Sequence, residues 1–592
     1  MYTAPTHKGV QVTVQKWFSN SGTANVLLAM IACAAFAALY SAQPRVEHAR
    51  YQVAHEWHSF DRPDGQTAPA GAVVIEFDLV LSPLAATTFI VHPSSCARLS
   101  VNDARVNRRF CNYLGAPVDL SPYVHSGVNR MRAEMEQEGD LLRFVLVPSL
   151  LSPSLPLAIG FGLALLALIV RLLPASARDA RLFAAPAVCG ILLRCLYAAS
   201  TPYFVRAWDW DGHLEYITHV VEHWTIPAAA AGWETYQPPL YYFAAATWAN
   251  AWSSTAPSTG TLQVLSVLLS VAAMFAGFWI ARLLFPTGSE RRERLIFAWV
   301  IAVFPGLVFF GSRVSNDTLL TPISLLCVAL LILWWRLPSM KRWCALCVVL
   351  GLGVLTKMSI LPLLLTAAVC LVLHRDMDAR RKTVMAVAGA AVLAAVAGWL
   401  FVLRYAIEHQ AVLVFVQTGD AMKADNTAGN LLTFNPYWVL RRPFNWNWND
   451  DYRRQIFWEY LLKSSFVGEW VHHPIAAWPL RLLLAGSMVG VLLAATGLVK
   501  DWWHVRHGVL PIVVLTAASL ATIFGYRLIG NLWCQDFRFI PFILPALLYG
   551  ALRAMSALPR PLARATTVGI GAFVALSAAF VLLVASRGTL HP

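Results

Sequence analysis

Trp208-Asp209-Trp210-Asp211-Gly212-His213-Leu214-Glu215-Tyr216, then, after residues 217–232, Trp233-Glu234-Thr235-Tyr236-Gln237-Pro238-Pro239-Leu240-Tyr241-Tyr242: how this pair of segments is read decides the fold. Four carboxylates, one histidine and seven aromatic rings crowd between strongly apolar runs. Carboxylates beside a bilayer are costly unless they face water, a partner or a substrate, so the segment marks a candidate site. The apolar stretch that starts at Leu240 is the ambiguous piece. Counted as a membrane crossing, 240–252 would reverse the sidedness of everything that follows.

Composition sets the frame. Of 592 residues, 58% are hydrophobic and only 13% charged, whereas a soluble domain is nearer a quarter charged. Apolar runs of about 20 residues recur along the chain, the length that spans a bilayer. The net charge is +14, but its lysines and arginines sit in short clusters between apolar runs. That is the positive-inside pattern of cytoplasmic loops, and it argues against a nucleic-acid partner. Ten cysteines form no metal pattern: Cys344 and Cys347 make a lone CxxC on an apolar run, which reads as packing. Cys96 and Cys111 both lie in the one long polar segment, and outside the cytoplasm they form a disulfide candidate.

Taken in order, the chain starts with a polar tail carrying Lys8 and Lys16, then an apolar run at 24–42. The run lacks a clean small-x-small cleavage site, so it reads as an anchor rather than a signal peptide. Residues 1–43 are therefore a cytoplasmic tail plus first transmembrane helix. Residues 44–150 have a different texture, polar and alternating, with Val73 to Val80 as a strand, Val101-Asn102-Asp103-Ala104-Arg105-Val106 as a hairpin and Leu142 to Val147 as a closing strand. The stretch Asp119-Leu120-Ser121-Pro122-Tyr123-Val124 with Gly127-Val128-Asn129-Arg130 resembles the turn-and-strand ending of galactose-binding-like jelly rolls. The expectation is a small extracytoplasmic β-sandwich that braces the rest or binds carbohydrate.

Thirteen crossings follow from the apolar runs: 24–42, 151–173, 183–199, 262–284, 297–310, 319–335, 343–357, 360–373, 384–403, 480–498, 509–524, 540–552 and 568–584. Arg171, Arg178 and Arg181 mark one cytoplasmic loop, and Arg291, Arg292 and Arg294 another. One crossing, 262–284, must link the outside to that second cluster, so 240–252 is excluded as a span. It reads instead as a helix lying in the outer interface, with Pro238-Pro239 at its start. The N-terminus is then inside and the C-terminus outside. External loops cover 200–261 and 404–474, the latter centred on Phe444-Asn445-Trp446-Asn447-Trp448-Asn449-Asp450-Asp451.

This bookkeeping places the unusual polar residues on one side. Asp209, Asp211, His213, Glu215, Glu234, Arg313, Asp317, Lys357 and Arg538 all fall at or near the outer surface, on loops after different runs. A pump or channel would carry ionisable residues near mid-span, and the spans here are nearly free of them. One-sided clustering fits an interfacial enzyme with a partly lipid substrate. If that substrate is a sugar on a lipid phosphate, the reaction needs a base for the acceptor and cations for the departing phosphate. Asp211 fits the base, with Asp209 its rival. Lys357 and Arg538 fit the phosphate clamp, with Arg313 a third cation and Asp317 an orienting carboxylate. The plainer alternatives are an Arg313–Asp317 pair and a Lys357 that snorkels from a helix end. Asp211, His213 and Glu215 also raise a divalent metal site, although Asp-x-His-x-Glu matches no standard zinc motif.

An Asp-x-His motif after an apolar run, followed by Pro-Pro-Leu opening an interfacial helix, resembles the GT-C superfamily. Within it, the protein O-mannosyltransferases and the bacterial lipid A aminoarabinose transferases are most similar in pattern. Ser315-Asn316-Asp317, Gly351 to Lys357, and Asp536-Phe537-Arg538-Phe539 before Pro541 fall where that superfamily has matching patches, over roughly 180–590. The resemblance implies a GT-C-like catalytic region at 151–592 that inverts configuration, takes sugar from a polyprenyl phosphate and uses Asp211 as general base. It also implies a multi-pass protein of a bacterial inner membrane with a periplasmic active site, a lipid-linked sugar donor and an acceptor that is glycan, glycolipid or protein. Two positions depart from the pattern. Gly212 stands where those relatives often have Glu, which bears on metal use or substrate choice. Gln237 stands where His or Lys is frequent, which bears on the contact to lipid phosphate. His213, Glu215, Glu234 and Gln237 complete the expected substrate-binding set. The competing functions are a transporter or flippase for a lipid-linked saccharide, and a non-catalytic envelope scaffold.

Overall fold

The computed structural model describes residues 21–41, 44–53, 55–59, 67–69, 72–112, 115–136, 141–149, 154–172, 178–207, 209–252, 259–409, 425–446, 450–504, 509–529, 535–587 and 589–590. The expected polar tail with Lys8 and Lys16, residue Trp208, and parts of the 404–474 loop (410–424 and 447–449) lie outside them. The chain divides into two compact units, Met1–Leu192 and Leu193–Pro592.

In the first unit, helices α1 (Ser21–Ser41) and α2 (Ser154–Leu172) pack against one another. Between them in sequence run ten strands: β1 (Arg45–Val53), β2 (Glu56–Ser59), β3 (Thr67–Pro69), β4 (Ala72–Leu81), β5 (Thr88–Pro93), β6 (Ala97–Val101), β7 (Ala104–Phe110), β8 (Ala116–Asp119), β9 (Gly127–Met135) and β10 (Leu141–Pro148). They form a six-stranded sheet, β2-β1-β4-β9-β6-β7, and a four-stranded one, β3-β10-β5-β8. Alternation explains the layering: Ile75, Phe77 and Leu79 of β4 and Met131 and Ala133 of β9 share one core with Phe89 and Val91 of β5 and Phe144 of β10. Glu76 and Asp78 take the opposite face of β4.

The β6–β7 hairpin pairs Val101 with Ala104, leaving a two-residue turn in which Asn102 and Asp103 have φ of 50° and 64°. Positive φ at both turn residues suits the twist of the flanking strands, and Asn and Asp tolerate it. Asn129, fully buried, holds the adjacent loop by accepting from the His125 N–H at 2.9 Å and the Asn102 amide at 3.0 Å. Just outside the paired residues Ala97 and Phe110, Cys96 and Cys111 are joined in a disulfide.

The second unit is helical. Seven helices among the described residues are long and apolar enough to cross a membrane. They are Arg181–Ala199, the apolar part of α3 (Arg178–Ala199), and the helices Thr259–Leu284 and Asn316–Arg336. They continue with Ala379–Ile407, Pro474–Asp501, Leu510–Leu528 and Arg560–Arg587. An eighth arises if Gly288–Val303 and Pro305–Ser312, bent by 47° where Pro305 interrupts the ladder, form one broken span. These correspond to runs 183–199, 262–284, 297–310, 319–335, 384–403, 480–498, 509–524 and 568–584. Runs 360–373 and 540–552 are instead short apolar helices, Met358–Leu373 and Pro541–Ser556, run 343–357 becomes a 15-residue helix, Met340–Val354, and run 151–173 corresponds to α2 of the first unit. The protein is thus a polytopic helical one with a β-sheet region.

Two more helices position the site. α4 (Trp210–His223) carries the acidic segment, and α5 (Leu240–Trp252) has 13 residues, about 20 Å at 1.5 Å per residue. That is short of the ~30 Å hydrocarbon core. In chain order, α6 (Thr259–Leu284), α7 (Asn316–Arg336) and α8 (Met340–Val354) follow as the long helices around them. Buried contacts tie the helical unit together. The Arg194 guanidinium donates to Ser270 Oγ at 2.8 Å and to the Ala302 carbonyl at 2.6 Å.

Candidate functional site

Asp209 is the hinge of the site. Its backbone is left-handed, with φ 50° and ψ 30°, and it caps α4 as its carbonyl accepts the His213 N–H at 3.0 Å. Trp233 Nε1 donates to its carboxylate at 3.1 Å. One turn into α4 the four acidic-segment residues separate, because successive side chains rotate by about 100°. Asp211 and Glu215, four apart, share the exposed side. His213 turns inward and is buried, its Nδ1 2.8 Å from the Tyr242 hydroxyl on α5.

The loop between α4 and α5 is pinned from outside the segment. Arg404 donates to the carbonyls of Pro227 at 3.1 Å and Thr235 at 2.8 Å and pairs with Glu408 at 2.7 Å. Glu408 in turn accepts the Ala229 N–H at 3.1 Å. This clamp buries Glu234, whose Oε2 lies 4.0 Å from His213 Nδ1. Burial pushes the Glu234 carboxyl up to about 8, with the Asp209 charge adding to the effect. Burial likewise pushes His213 down to about 3, and Lys357 nearby lowers it further. At neutral pH the pair is therefore a protonated acid beside a neutral imidazole.

From Glu234 the polar chain continues across helices. Gln237 accepts the Asn316 amide at 3.1 Å, at the start of α7. The neighbouring Asp317 pairs with Lys357 Nζ at 2.7 Å. Lys357 sits in the turn after α8, and the Leu240 N–H of α5 donates to the Leu355 carbonyl in that turn at 2.9 Å. Lys357 Nζ lies 5.2 Å from the Phe539 ring centre and the Arg538 guanidinium 4.9 Å from it. One aromatic ring therefore has both cations over it. Asp536 caps that turn by accepting the Arg538 N–H at 2.7 Å. Burial raises the Asp536 carboxyl to about 6, a rise that Arg538 partly offsets. Burial opposes the charge on Arg538, yet Asp317, Glu469 and Asp536 hold its affinity for the proton above the ordinary value.

The expected set thus divides. His213, Glu234, Gln237, Asp317, Lys357 and Arg538 form one connected polar cluster, with Asp209 at its edge. Arg313 is buried and donates to the Arg206 carbonyl at 2.9 Å. Asp317, set against Arg313 as a partner in the sequence, pairs with Lys357 instead. Glu215 lies over Gly232, where an added Cβ would stand 3.0 Å from its carboxylate. Asp211, His213 and Glu215 do not fit a metal ligand set, since the helix turns His213 to the opposite side and Tyr242 engages its Nδ1. Among the described residues no group of three His, Cys, Asp or Glu side chains could hold a metal ion. Sequence reasoning gave no role to Asn316, Tyr242 and Phe539, although each lies in a quoted stretch, and missed the buried Glu469, whose carboxyl burial raises well above the usual range. Glu469 stands outside any motif, so no spacing signal points to it.

Residues 236–401 match a family model described as dolichyl-phosphate-mannose-protein mannosyltransferase. The match spans α5, the Asn316-Asp317 helix start and the Lys357 turn, and it agrees with the resemblance read from the sequence. It is the signature of a glycosyltransferase family. No curated protein matches the chain. Among solved structures the chain is similar to ArnT from Cupriavidus metallidurans bound to undecaprenyl phosphate. There the identity is 13%, the TM-score 0.42, and 67% of this chain covers 63% of that one. It is also similar to an Archaeoglobus fulgidus oligosaccharyltransferase in complex with Zn and sulfate, at 16% identity and TM-score 0.42, over 69% and 54%. A third is the arabinosyltransferase EmbB from Mycobacterium smegmatis, at 10% identity and TM-score 0.38, over 90% and 53%. In each case the match leaves more than a third of the solved chain uncovered.

Proposed function

We propose that this protein is a membrane glycosyltransferase that moves a sugar from a polyprenyl-phosphate donor to an extracytoplasmic acceptor with inversion. The observation that carries the reading is the convergence of Lys357 and Arg538 on one ring beside Asp317, within and next to the stretch that matches a lipid-phosphate-sugar family. In the reaction the acceptor hydroxyl gives its proton to the Asp211 carboxylate as its oxygen bonds to the anomeric carbon. The bond from that carbon to the phosphate oxygen breaks, and the polyprenyl phosphate departs with the electron pair. Lys357 and Arg538 stabilise that developing charge, and Asp317 holds Lys357 in place. Asp211, exposed at the first turn of α4, is reachable by an acceptor from water. Asp209, held by Trp233 at the edge of the polar cluster, is the rival base.

In this reading residues 1–43 are tail and anchor, 44–150 a jelly-roll-like sandwich on the periplasmic side, and 151–592 the GT-C-like catalytic domain. The chain makes thirteen crossings, N-terminus in and C-terminus out, and the site lies on the periplasmic face of a bacterial inner membrane. Transfer from a panel of polyprenyl-phosphate sugars tests the assignment. Asp211→Asn is expected to lower transfer by roughly 10²–10⁴-fold, the range of a lost general base, and Asp209→Asn by less. Intact transfer in a folded, membrane-inserted Asp211→Asn protein overturns the role of Asp211, and the reverse order of the two variants moves it to Asp209.

A further inference from the structure

The outer face of the six-stranded sheet holds a concavity of about 850 Å³ between β1 and β4. It exists because the two strands lose register between Glu47 and Arg50, where His48 takes a φ of 48°. Such a bulge bends its strand and re-aims side chains, and bulges recur where a sheet binds something. We propose that this groove is a saccharide-binding site, separate from the transfer site, for the neutral hydroxyl-rich end of a glycan.

The floor of the groove is Glu76, only 7% exposed at its side chain. It accepts from Arg50 at 2.7 and 3.0 Å, from Arg132 at 2.8 Å and from Arg130 at 3.4 Å. Three guanidinium groups are thereby fixed in direction by one carboxylate. A buried carboxylate in a strand is costly, and a sheet face that only braced another element would be satisfied by neutral residues. The cost is understandable if the fixed donors serve a ligand, because preorganised polar groups lose little on binding.

The lining selects the ligand class. Asp78, hydrogen-bonded to His48 at 3.0 Å, faces the groove with Arg130, so carboxylate acceptors stand beside guanidinium donors. Within the groove the carboxylates of Glu47, Glu76 and Asp78 stand against Arg50 and Arg130, with Arg132 also bonded to Glu76. An anion would meet Asp78, a cation would meet Arg130, and a lipid tail would strand them all. A hydroxyl both donates and accepts, so vicinal hydroxyls match the alternating wall. Trp57 stands at the margin, 37% exposed, with the Arg50 guanidinium 4.5 Å from its ring centre.

The test uses the full-length protein in detergent and saturation-transfer NMR. The probes are neutral disaccharides of glucose, galactose and mannose, with galacturonic acid, glucosamine and inorganic phosphate beside them. At least one neutral disaccharide is expected to bind saturably, with Kd on the order of 1 mM, about −4 kcal/mol. Asp78→Asn and Trp57→Ala, both at the partly exposed edge, are each expected to weaken it at least fivefold. Asp211→Asn is expected to leave it unchanged, which separates the groove from the transfer site. Thermal unfolding confirms that each variant is folded. The proposal is overturned if no neutral disaccharide binds, if only the acid, amine or phosphate binds, or if folded Asp78→Asn and Trp57→Ala bind as the parent does. Transfer activity reports on Asp211 and disaccharide binding on Asp78, so either reading can fail without the other.

Discussion

Gly212 shows what decides identity at a single position. A methyl carbon there would stand 2.9 Å from Glu234 Cγ and 3.2 Å from the Glu234 backbone nitrogen, and the backbone cannot easily move. The carboxyl that relatives place directly after the aspartate is absent here, and Glu234 fills that space from a different loop. Glu234 is then a raised carboxyl, about 8 against 4.5, so between those values the folded protein holds a proton that the unfolded chain releases. The stability this proton confers is complete below pH 4.5 and is lost as pH rises through 8. Glu234→Gln, which keeps the shape and removes the titration, should therefore gain Tm relative to the parent as pH is raised from 5 to 9. Parallel Tm curves for the two proteins over that range would mean that Glu234 is ionised throughout. Little of this was visible in the sequence. Asp209, Asp211, His213 and Glu215 stood together as letters, and the helical rotation that divides them follows from spacing alone. Glu234 approaches His213 across a sequence separation of 21 in a loop that the Arg404 clamp helps to hold, and Arg404 lies just past a distant apolar run.

At the scale of elements, periodicity and turn chemistry were the readable signals, and partner choice was not. The Asn102-Asp103 turn could be read because few residues accept two positive φ angles in succession. Apolar runs 480–498 and 540–552 were equally plain, yet nothing in either named the other as its neighbour. The helices Ala477–His504 and Leu544–Ser556 meet through glycines: a methyl on Gly550 would run into the Ala494 carbonyl oxygen, and one on Gly497 into the Gly550 carbonyl. Without a hydrophobic drive inside lipid, close backbone approach is what holds such a pair. Gly550→Leu forces the two backbones apart. By the usual cost of overpacking it should destabilise by about 1–3 kcal/mol or more, read as a lower Tm in detergent. Gly571→Leu, on a helix where an added methyl meets no atom within 4 Å, is the matched control. Equal Tm changes in the two variants would remove the glycine contact as the cause.

Across the second unit, two sets of polar contacts recur at loop ends, and each set draws on loops assigned to one side. Asn316 bonds to Gln237, the adjacent Asp317 pairs with Lys357, and Lys357 and Arg538 meet over Phe539. The basic ends of the other loops meet elsewhere. Arg553 pairs with Asp501 at 3.0 Å and with Glu290 at 3.4 Å, Arg292 donates to the Ala563 carbonyl at 2.9 Å, and Arg381 donates to the Pro338 carbonyl at 2.9 Å. Every residue in that second group comes from a loop that the arginine count assigns to the cytoplasm, and every residue in the first from a loop assigned outside. Such sorting is what an N-in, C-out chain with 240–252 lying in the interface would produce, because loops on one side can touch only each other. Counting 240–252 as a crossing would leave Gln237 on one side of the membrane and its partner Asn316, with Asp317, Lys357 and Arg538, on the other. Reporter fusions test the parity directly. A periplasm-dependent phosphatase should be active when fused after residue 430 or at the C-terminus, and inactive after residue 288 or 375. A cytoplasm-dependent fluorescent protein should give the opposite pattern. An active phosphatase after residue 288 would place the Arg291–Arg294 cluster outside, return 240–252 to the membrane, and separate Lys357 from any periplasmic acceptor.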